Sequence, residues 1–389
     1  MVSFLKEHHF VEPSAGAGAL IFSLLQEALC RGLSPDDLSS LDLTVIDINK
    51  DALVFVEGLF EQLSKSWDIE FPSIKFINQN FLECALPISP KKPFFFGNPP
   101  FVTNERGRKW KNLYADFLER ALVQSGDHGK CHFILPLSVA FSRDYGALRS
   151  LALGTGKSIA LSSFDNIPDT LFASGKPKHI NTNKANSQRC TILSAFPAER
   201  QRVLSTKLHR WRKSERAQLL ASSPVYHDIE NCQWGSQFVR PENSQVLHYI
   251  SDTSNAKRIR DFLVKDGSLE IFVASVGRNF IGLRDECGSA STRLTFESDS
   301  QFNLVMLLLS SDLFLDYWRT VGDGFHITKG NILEFPVTSN VERRAETLNS
   351  LAIQLWKNRD QYAKLKKHPR GVSKSYDFSV DVPSLYENG

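Results

Sequence analysis

The stretch that most limits the possible folds is residues 97–105, G-N-P-P-F-V-T-N-E, which follows the apolar run Pro93-Phe94-Phe95-Phe96. The run has the length and composition of a buried strand. Two successive prolines remove two backbone donors, so the strand cannot continue past Asn98. A residue before a proline is pushed out of the α region, which holds both Asn98 and Pro99 extended. The sequence therefore predicts a stiff turn at the carboxyl end of a strand. That turn presents the Asn98 amide, backbone carbonyls with no partner in a sheet, and the face of Phe101. Such a set suits a flat ligand carrying an amino group. Two acceptors take its N–H protons and the ring stacks on its plane.

Three more strand-and-turn units precede this one. Phe10-Val11 ends in Glu12-Pro13-Ser14-Ala15-Gly16-Ala17-Gly18 and runs into a helix with the apolar density of one packed on a sheet. Glycines there let backbone N–H groups and a helix N-terminus approach a ligand, although tight strand-to-helix turns also use glycine for geometry alone. A second strand, residues 43–46, closes on Asp47, placed to accept hydrogen bonds from ribose hydroxyls. A helix is expected over 52–63. A third strand, 74–77, ends in Asn78-Gln79-Asn80-Phe81. Four strands with polar or aromatic residues at their carboxyl ends place a ligand along one edge of a parallel sheet. The expected fold is α/β, with a doubly wound, Rossmann-like sheet.

Beyond the Asn-Pro-Pro turn comes a polar, basic loop with Arg106, Arg108, Lys109, Trp110 and Lys111, then a periodic helix over 113–123. Further strands are expected at 131–135, stopped by Pro136, and at 160–164 and 191–196. A short helix is expected at 147–153. The loop between the last two strands holds Phe172, Lys176 and Lys178. From Glu199 to Arg216 seven cations face two acids, and the domain junction is expected there. The reading is a domain over 1–205, a basic linker over 206–224 and a second domain over 225–389. The basic stretch reads equally as a solvated surface helix or as a phosphate contact. The second domain has strand-like runs at 271–273 and 280–281, an apolar helix over 302–318, a long helix over 341–367, and a loosely held tail after Pro369.

The chain has 389 residues, enough for two domains, with 42% hydrophobic and 23% charged residues. A net charge of +3 means that a nucleic-acid partner must be argued from local patches. The six cysteines are scattered without a C-x-x-C pair, which argues against a zinc site or a disulfide framework and fits a reducing cytosol. No apolar run approaches the roughly 18 residues of a membrane span, and the first residues do not form a signal peptide. A cytoplasmic location is expected.

Taken in order, Glu12-Pro-Ser-Ala-Gly16-Ala-Gly18, Asp47, Asn80-Phe81 and Asn98-Pro99-Pro100-Phe101 resemble the S-adenosylmethionine-dependent N6-adenine DNA methyltransferases of restriction-modification type. Cofactor motifs precede the Asn-Pro-Pro-Phe motif and extra chain follows, similar to the gamma arrangement. The resemblance implies a class I methyltransferase sheet with a C-terminal mixed α/β target-recognition domain, S-adenosyl-L-methionine as cofactor and double-stranded DNA as partner. It implies that Glu12, Gly16 and Gly18 cradle the methionine and ribose part, and that Asp47 holds the ribose hydroxyls. Asn80, where the family usually has Asp, would accept from the cofactor's exocyclic amine, and Phe81 would stack on its adenine. Asn98, Pro99, Pro100 and Phe101 would take the target base. Arg106, Arg108, Lys109, Lys111, Phe172, Lys176, Lys178 and Lys329 would contact DNA, with Arg278, Asn279 and Arg284 as further base-reading candidates. No metal is implied. The family carries a further cofactor motif on a helix before the first strand, and none of the nine residues before Phe10 resembles it. A fragment, a misplaced start or a partner subunit supplying that wall are the expectations, beside a restriction endonuclease partner. Two other readings stay open: an RNA or protein-glutamine methyltransferase, and a non-catalytic DNA-binding subunit of the same fold.

Overall fold

A computed structural model of the chain describes residues 2–104, 108–171, 188–230, 232, 234–253, 255–288, 290–368 and 371–386. Contacts divide the chain into two units. The first comprises Met1–Ser205, Arg210–Ser222 and Ser236–Phe238; the second comprises Thr206–His209, Ser223–Gly235 and Val239–Gly389.

The first unit begins with a short helix that the sequence reading did not anticipate, α1 (Val2–Glu7). It continues through β1 (His8–Glu12), α2 (Ala19–Cys30), α3 (Pro35–Leu38), β2 (Asp42–Ile46), α4 (Lys50–Trp67), β3 (Ile74–Ile77) and β4 (Lys92–Gly97). Then come α5 (Leu113–Gln124), β5 (Lys130–Pro136), α6 (Ser138–Phe141), α7 (Gly146–Gly154), β6 (Ser158–Phe164) and β7 (Cys190–Phe196). These strands lie in the order β3-β2-β1-β4-β5-β7-β6. Pairing is parallel from β3 to β5, and β7 runs antiparallel to both β5 and β6. The doubly wound sheet expected from the sequence is present. Pro136 is the last residue of β5, where a missing donor costs least.

The period of two explains the layers. Phe10, Leu43, Val45 and Phe96 join Ile21, Leu25, Val56 and Phe60 of α2 and α4 in one core. Phe95, one residue off, points to the other face, where it meets Phe81, which in turn packs on Phe117 of α5. The chain winds outward from β1 to β3 and then returns to the far side of β1 as β4. Strand order thus reverses between β1 and β4, and open α/β sheets bind ligands at the carboxyl ends of strands at such a switch point.

The basic stretch after Glu199 is not a surface helix. It begins as β8 (Val203–His209), whose Val203, Ser205 and Leu208 are buried, and ends in α8 (Arg216–Ala221). The span 206–224, expected as a linker, is therefore largely regular structure.

The second unit continues with β9 (His227–Asp228), α9 (Ser244–Ser251), β10 (Lys257–Arg258), β11 (Leu269–Ala274), β12 (Leu283–Arg284) and β13 (Ser291–Phe296). It closes with α10 (Asp299–Ser310), α11 (Asp312–Val321), α12 (Lys329–Leu333), β14 (Pro336–Val337), α13 (Ser339–Thr347), α14 (Asn349–Lys357), β15 (Ala363–His368) and β16 (Gly371–Tyr376). An antiparallel sheet has the order β13-β11-β12-β16-β15 and is backed by the almost fully buried α10. Three expectations need correction here. The helix expected over 302–318 is two helices, because Ser311 is extended and its hydroxyl accepts from Phe314 N at 3.1 Å as the cap of α11. The long helix expected over 341–367 breaks at Leu348, and residues from Ala363 onward pair as a strand with β16. The tail after Pro369 is anchored, with Tyr376, Phe378 and Leu385 buried. Phe280-Ile281 lies just outside β12. Among the described residues no helix is long and apolar enough to cross a membrane.

Candidate active site

The carboxyl ends of β1 and β4 meet at the switch point. Glu12, the last residue of β1, is 2% exposed, and among the described residues its Oε2 has no hydrogen-bond partner. Burial, reinforced by the nearby Asp47 carboxylate, pushes its carboxyl well above the usual range. Gly97 ends β4 directly against it. A Cβ at Gly97 would lie 2.8 Å from Glu12 Oε1 and 3.3 Å from Pro13 Cδ, so a larger residue would force the buried Glu12 carboxyl to shift. Between β1 and α2 the chain turns through Gly16 and Gly18, at φ 50° and 76°. A side chain at Gly18 would also meet Phe22 and Val56 at 3.0 Å or less.

Asp47 follows β2 and ties this turn together. Its Oδ2 accepts from Gly16 N and its Oδ1 from Asn49 N, each at 2.8 Å. Each carboxylate oxygen has two lone pairs, so both keep capacity for hydroxyl donors. Asn78 Nδ2 donates to the carbonyls of Asp47 and Ile48 at 3.0 Å, holding the edge from the β3 side. Ile48, 76% exposed beside Asp47, was not singled out from the sequence. The signal was there, since a large apolar residue directly after a polar strand end has no core to enter.

Asn80 and Phe81 stand differently from expectation. The Asn80 Oδ1 accepts from Leu82 N at 3.1 Å and its Nδ2 donates to Glu83 at 3.2 Å, so the side chain closes its own turn. The Phe81 ring is 1% exposed, packed on Phe95 at 6.1 Å and Phe117 at 5.1 Å, with the Arg120 guanidinium over it at 5.1 Å. In this arrangement Phe81 is part of the core beneath the edge and not an open wall. Arg120 also donates to the carbonyls of Leu82 and Cys84, fixing the turn from α5. The partly exposed Leu82 is the apolar side chain that this turn offers outward.

The Asn-Pro-Pro-Phe turn is pinned from below. Ser14 Oγ donates to the Asn98 carbonyl at 3.3 Å, which links the glycine turn to it. The Asn98 side chain is exposed, and among the described residues nothing hydrogen-bonds to it. Phe101 is 37% exposed and rests edge-on against Tyr114 at 6.1 Å. Tyr114 is held by Ser138 Oγ at 3.0 Å and packs on Tyr145 at 5.3 Å. This backing was invisible in the sequence because it comes from three separate elements.

The basic loop after Phe101 is closed by Leu113 N donating to Val102 O at 3.0 Å and Asn104 N to Lys111 O at 2.9 Å. Trp110 is its buried anchor. Lys109 pairs with Glu119, and Lys111 with Asp144 at 3.5 Å, while Arg108 is exposed. Arg106, Phe172, Lys176 and Lys178 lie outside the described residues. Arg210, from the basic stretch, pairs at 2.7 Å with the buried Asp165, which Arg189 meets at 2.8 Å.

Within the second unit, Gly277 N donates to Phe325 O at 3.0 Å and Ile327 N to Ser275 O at 2.9 Å. These bonds join the loop after β11 to the loop before α12. Arg278, over the Phe325 ring at 5.7 Å, and the exposed Asn279 and Lys329 therefore lie on neighbouring loops, whereas Arg284 stands on β12.

No family profile and no curated protein matches the chain. Solved structures do match. The type IIL restriction-modification enzyme MmeI in complex with DNA is 13% identical, with a TM-score of 0.52 over 92% of this chain and 66% of that one. A nuclease-deletion mutant of the type ISP enzyme LlaGI with a DNA substrate mimic is 10% identical, with a TM-score of 0.44 over 96% and 56%. The type I restriction-modification methyltransferase subunit from Streptococcus thermophilus is 14% identical, with a TM-score of 0.38 over 55% and 47%. The chain thus spans about half to two thirds of the length of these proteins. At these identities the likeness is one of fold, and the fold of this chain is that of the class I methyltransferases with an additional C-terminal sheet domain.

Proposed function

We propose that the chain is a DNA methyltransferase that transfers the methyl group of S-adenosylmethionine to N6 of adenine, within a restriction-modification or related defence system. The observation that carries this reading is the Asn98 side chain. It is exposed at the switch point, without a protein hydrogen bond among the described residues, on a turn held by Ser14 and by the fit of Gly97 against Glu12.

The residues around the glycine turn suit the cofactor. The orphaned Glu12 Oε2 would take the ammonium of a methionine moiety, a cation that offsets the cost of a buried carboxylate. Asp47 would accept from ribose hydroxyls through its remaining lone pairs, and Ile48 and Leu82 would offer apolar contact to an adenine ring. When bound, S-adenosylmethionine supplies an activated methyl group. Asn98 Oδ1 and the Pro99 carbonyl would accept the two N–H bonds of the target amine. That contact localises a lone pair otherwise delocalised into the ring. Positive charge then develops on the nitrogen as the methyl group leaves sulfur, preorganised acceptor dipoles stabilise it, and the surplus N–H proton would pass to solvent after transfer. Phe101, backed by Tyr114, would stack on the extruded base and partly offset an unstacking cost of a few kcal/mol. Arg108 and the neighbouring lysines would position the backbone without reading sequence, and the second unit would read it. The MmeI structure, which contains DNA, supports this reading of the partner.

The test is transfer of tritium from labelled cofactor to duplex DNA, RNA and protein offered in parallel. Label in DNA alone is expected. Label in RNA or protein alone would replace the substrate, and no label with cofactor bound would make the chain a non-catalytic subunit.

A further inference from the structure

The antiparallel ribbon of β15 and β16 has no role in the account so far. From Gln361 to Tyr376 the sequence carries four lysines and an arginine and no acidic residue, in a chain whose totals are nearly balanced at 46 basic and 43 acidic. Lys364, Lys366, Lys367 and Lys374 are all exposed. Lys374 meets Asp360 at 2.5 Å, whereas among the described residues no carboxylate pairs with Lys364, Lys366 or Lys367. Lys364 and Lys366 stand opposite Ser375 and Ser373, side chains too short to cover them. They lie on one face, about 6.8 Å apart at the rise of a strand. Lys367 shares the other face with Leu365 and Val372, which are 69% and 61% exposed.

The root of the ribbon is rigid. Tyr376 is buried and donates to Asp285 at 2.7 Å, and Arg359 holds the same carboxylate at 2.9 Å. Tyr376 stacks on Phe378 at 6.1 Å and packs on Trp356 at 6.1 Å. An exposed cationic ribbon on a fixed base loses little entropy when it engages a partner.

We propose that this ribbon is a duplex-DNA contact, its lysines neutralising phosphates on either side of a groove. A two-stranded ribbon fits a major groove about 12 Å wide. The inference rests on the reading of the chain as a DNA-binding enzyme and adds a site to it. The competing explanation is that lysines on β15 only guard a sheet edge against pairing with another chain. A surface tuned for solubility mixes both signs, whereas β15 and β16 themselves carry cations and no acid.

The test uses the full chain and a duplex, with affinity measured from about 0.05 to 0.4 M salt. Lys364→Ala/Lys366→Ala/Lys367→Ala should lower affinity at least tenfold near 0.1 M. The slope of log affinity against log salt should become shallower by up to about 2.7, from roughly 0.9 for each lost contact. Replacing the same three residues with arginine should restore both. Independently, duplex should protect these lysines of the unaltered chain from acetylation. Unchanged affinity and slope in the alanine variant, with or without self-association, would overturn the ribbon contact while leaving the functional reading intact. Failure of the unaltered chain to bind any duplex would overturn both.

Discussion

Replacing Glu12 with glutamine removes one proton-binding group from the centre of the site while preserving its shape. Two consequences of opposite sign follow. The Glu12 carboxyl is buried and among the described residues lacks a partner at Oε2, and its pKa is raised well above the ordinary value near 4.5, first by burial and then by Asp47. A carboxyl with a raised folded pKa holds its proton more tightly folded than unfolded. Its penalty is absent below the unfolded value and grows as pH rises toward the folded one. Each unit between the two values costs about 1.4 kcal/mol once the pH exceeds both. The glutamine variant has no such penalty. Its melting temperature relative to the parent should therefore rise as pH increases above the ordinary value near 4.5. Each kcal/mol should appear as about 2–4 °C in a domain of this size. Cofactor binding should move the other way. Loss of a charged acceptor contributes about 1.5–3 kcal/mol, which is roughly 10- to 150-fold in Kd. Thermal scans across pH and calorimetric titration with S-adenosylmethionine measure both. A difference in melting temperature that does not change with pH would refute the protonated, buried carboxyl. Unchanged affinity would remove Glu12 from the cofactor site.

Gly97→Ala puts a Cβ 2.8 Å from the Glu12 carboxylate; overpacking of this kind costs about 1–3 kcal/mol, and a full loss of that stability with unchanged cofactor affinity would contradict the shared wall. Asp47→Ala should weaken cofactor binding at least tenfold, because Gly16 N and Asn49 N lose their acceptor together with the ribose; calorimetry showing parental affinity would exclude it. Phe101→Ala should lose base stacking of about 1–3 kcal/mol, whereas Phe101→Trp should keep part of the activity, and equal rates in the two variants would argue against stacking.

The first half of the fold was legible because its local signals agree. Strand ends carry prolines, glycines or acids, and each apolar run has one period. The sheet from β1 to β5 follows from these residues within a position or two at each boundary. The second half was not, because tertiary pairing decides it. Leu348, Leu351, Leu355, Trp356 and Tyr362 have helical spacing, yet the chain from Ala363 onward pairs with β16. The run from Phe302 to Trp318 looks uniform, yet one serine hydroxyl at 311 restarts the helix. The site divided in the same way. Glu12, Gly16, Gly18, Asp47 and Asn98 converge because motif spacing already placed them at strand ends. The Phe81 ring is buried in the core, held there by Phe95, Phe117 and Arg120 from separate elements. Leu82 and Tyr114 reach the candidate site through packing, which leaves no pattern in sequence, whereas Ile48 was signalled by its place directly after Asp47.

The central claim is that Asn98 activates an adenine amine. Its most direct measurement is nucleoside analysis of duplex DNA incubated with S-adenosylmethionine and either the parent chain or Asn98→Ala. The account predicts N6-methyladenine from the parent and, from the variant, a rate lower by roughly 10² to 10³, with cofactor affinity within a few fold. Near-normal turnover by the variant, or methylation of cytosine in place of adenine by the parent, would contradict it.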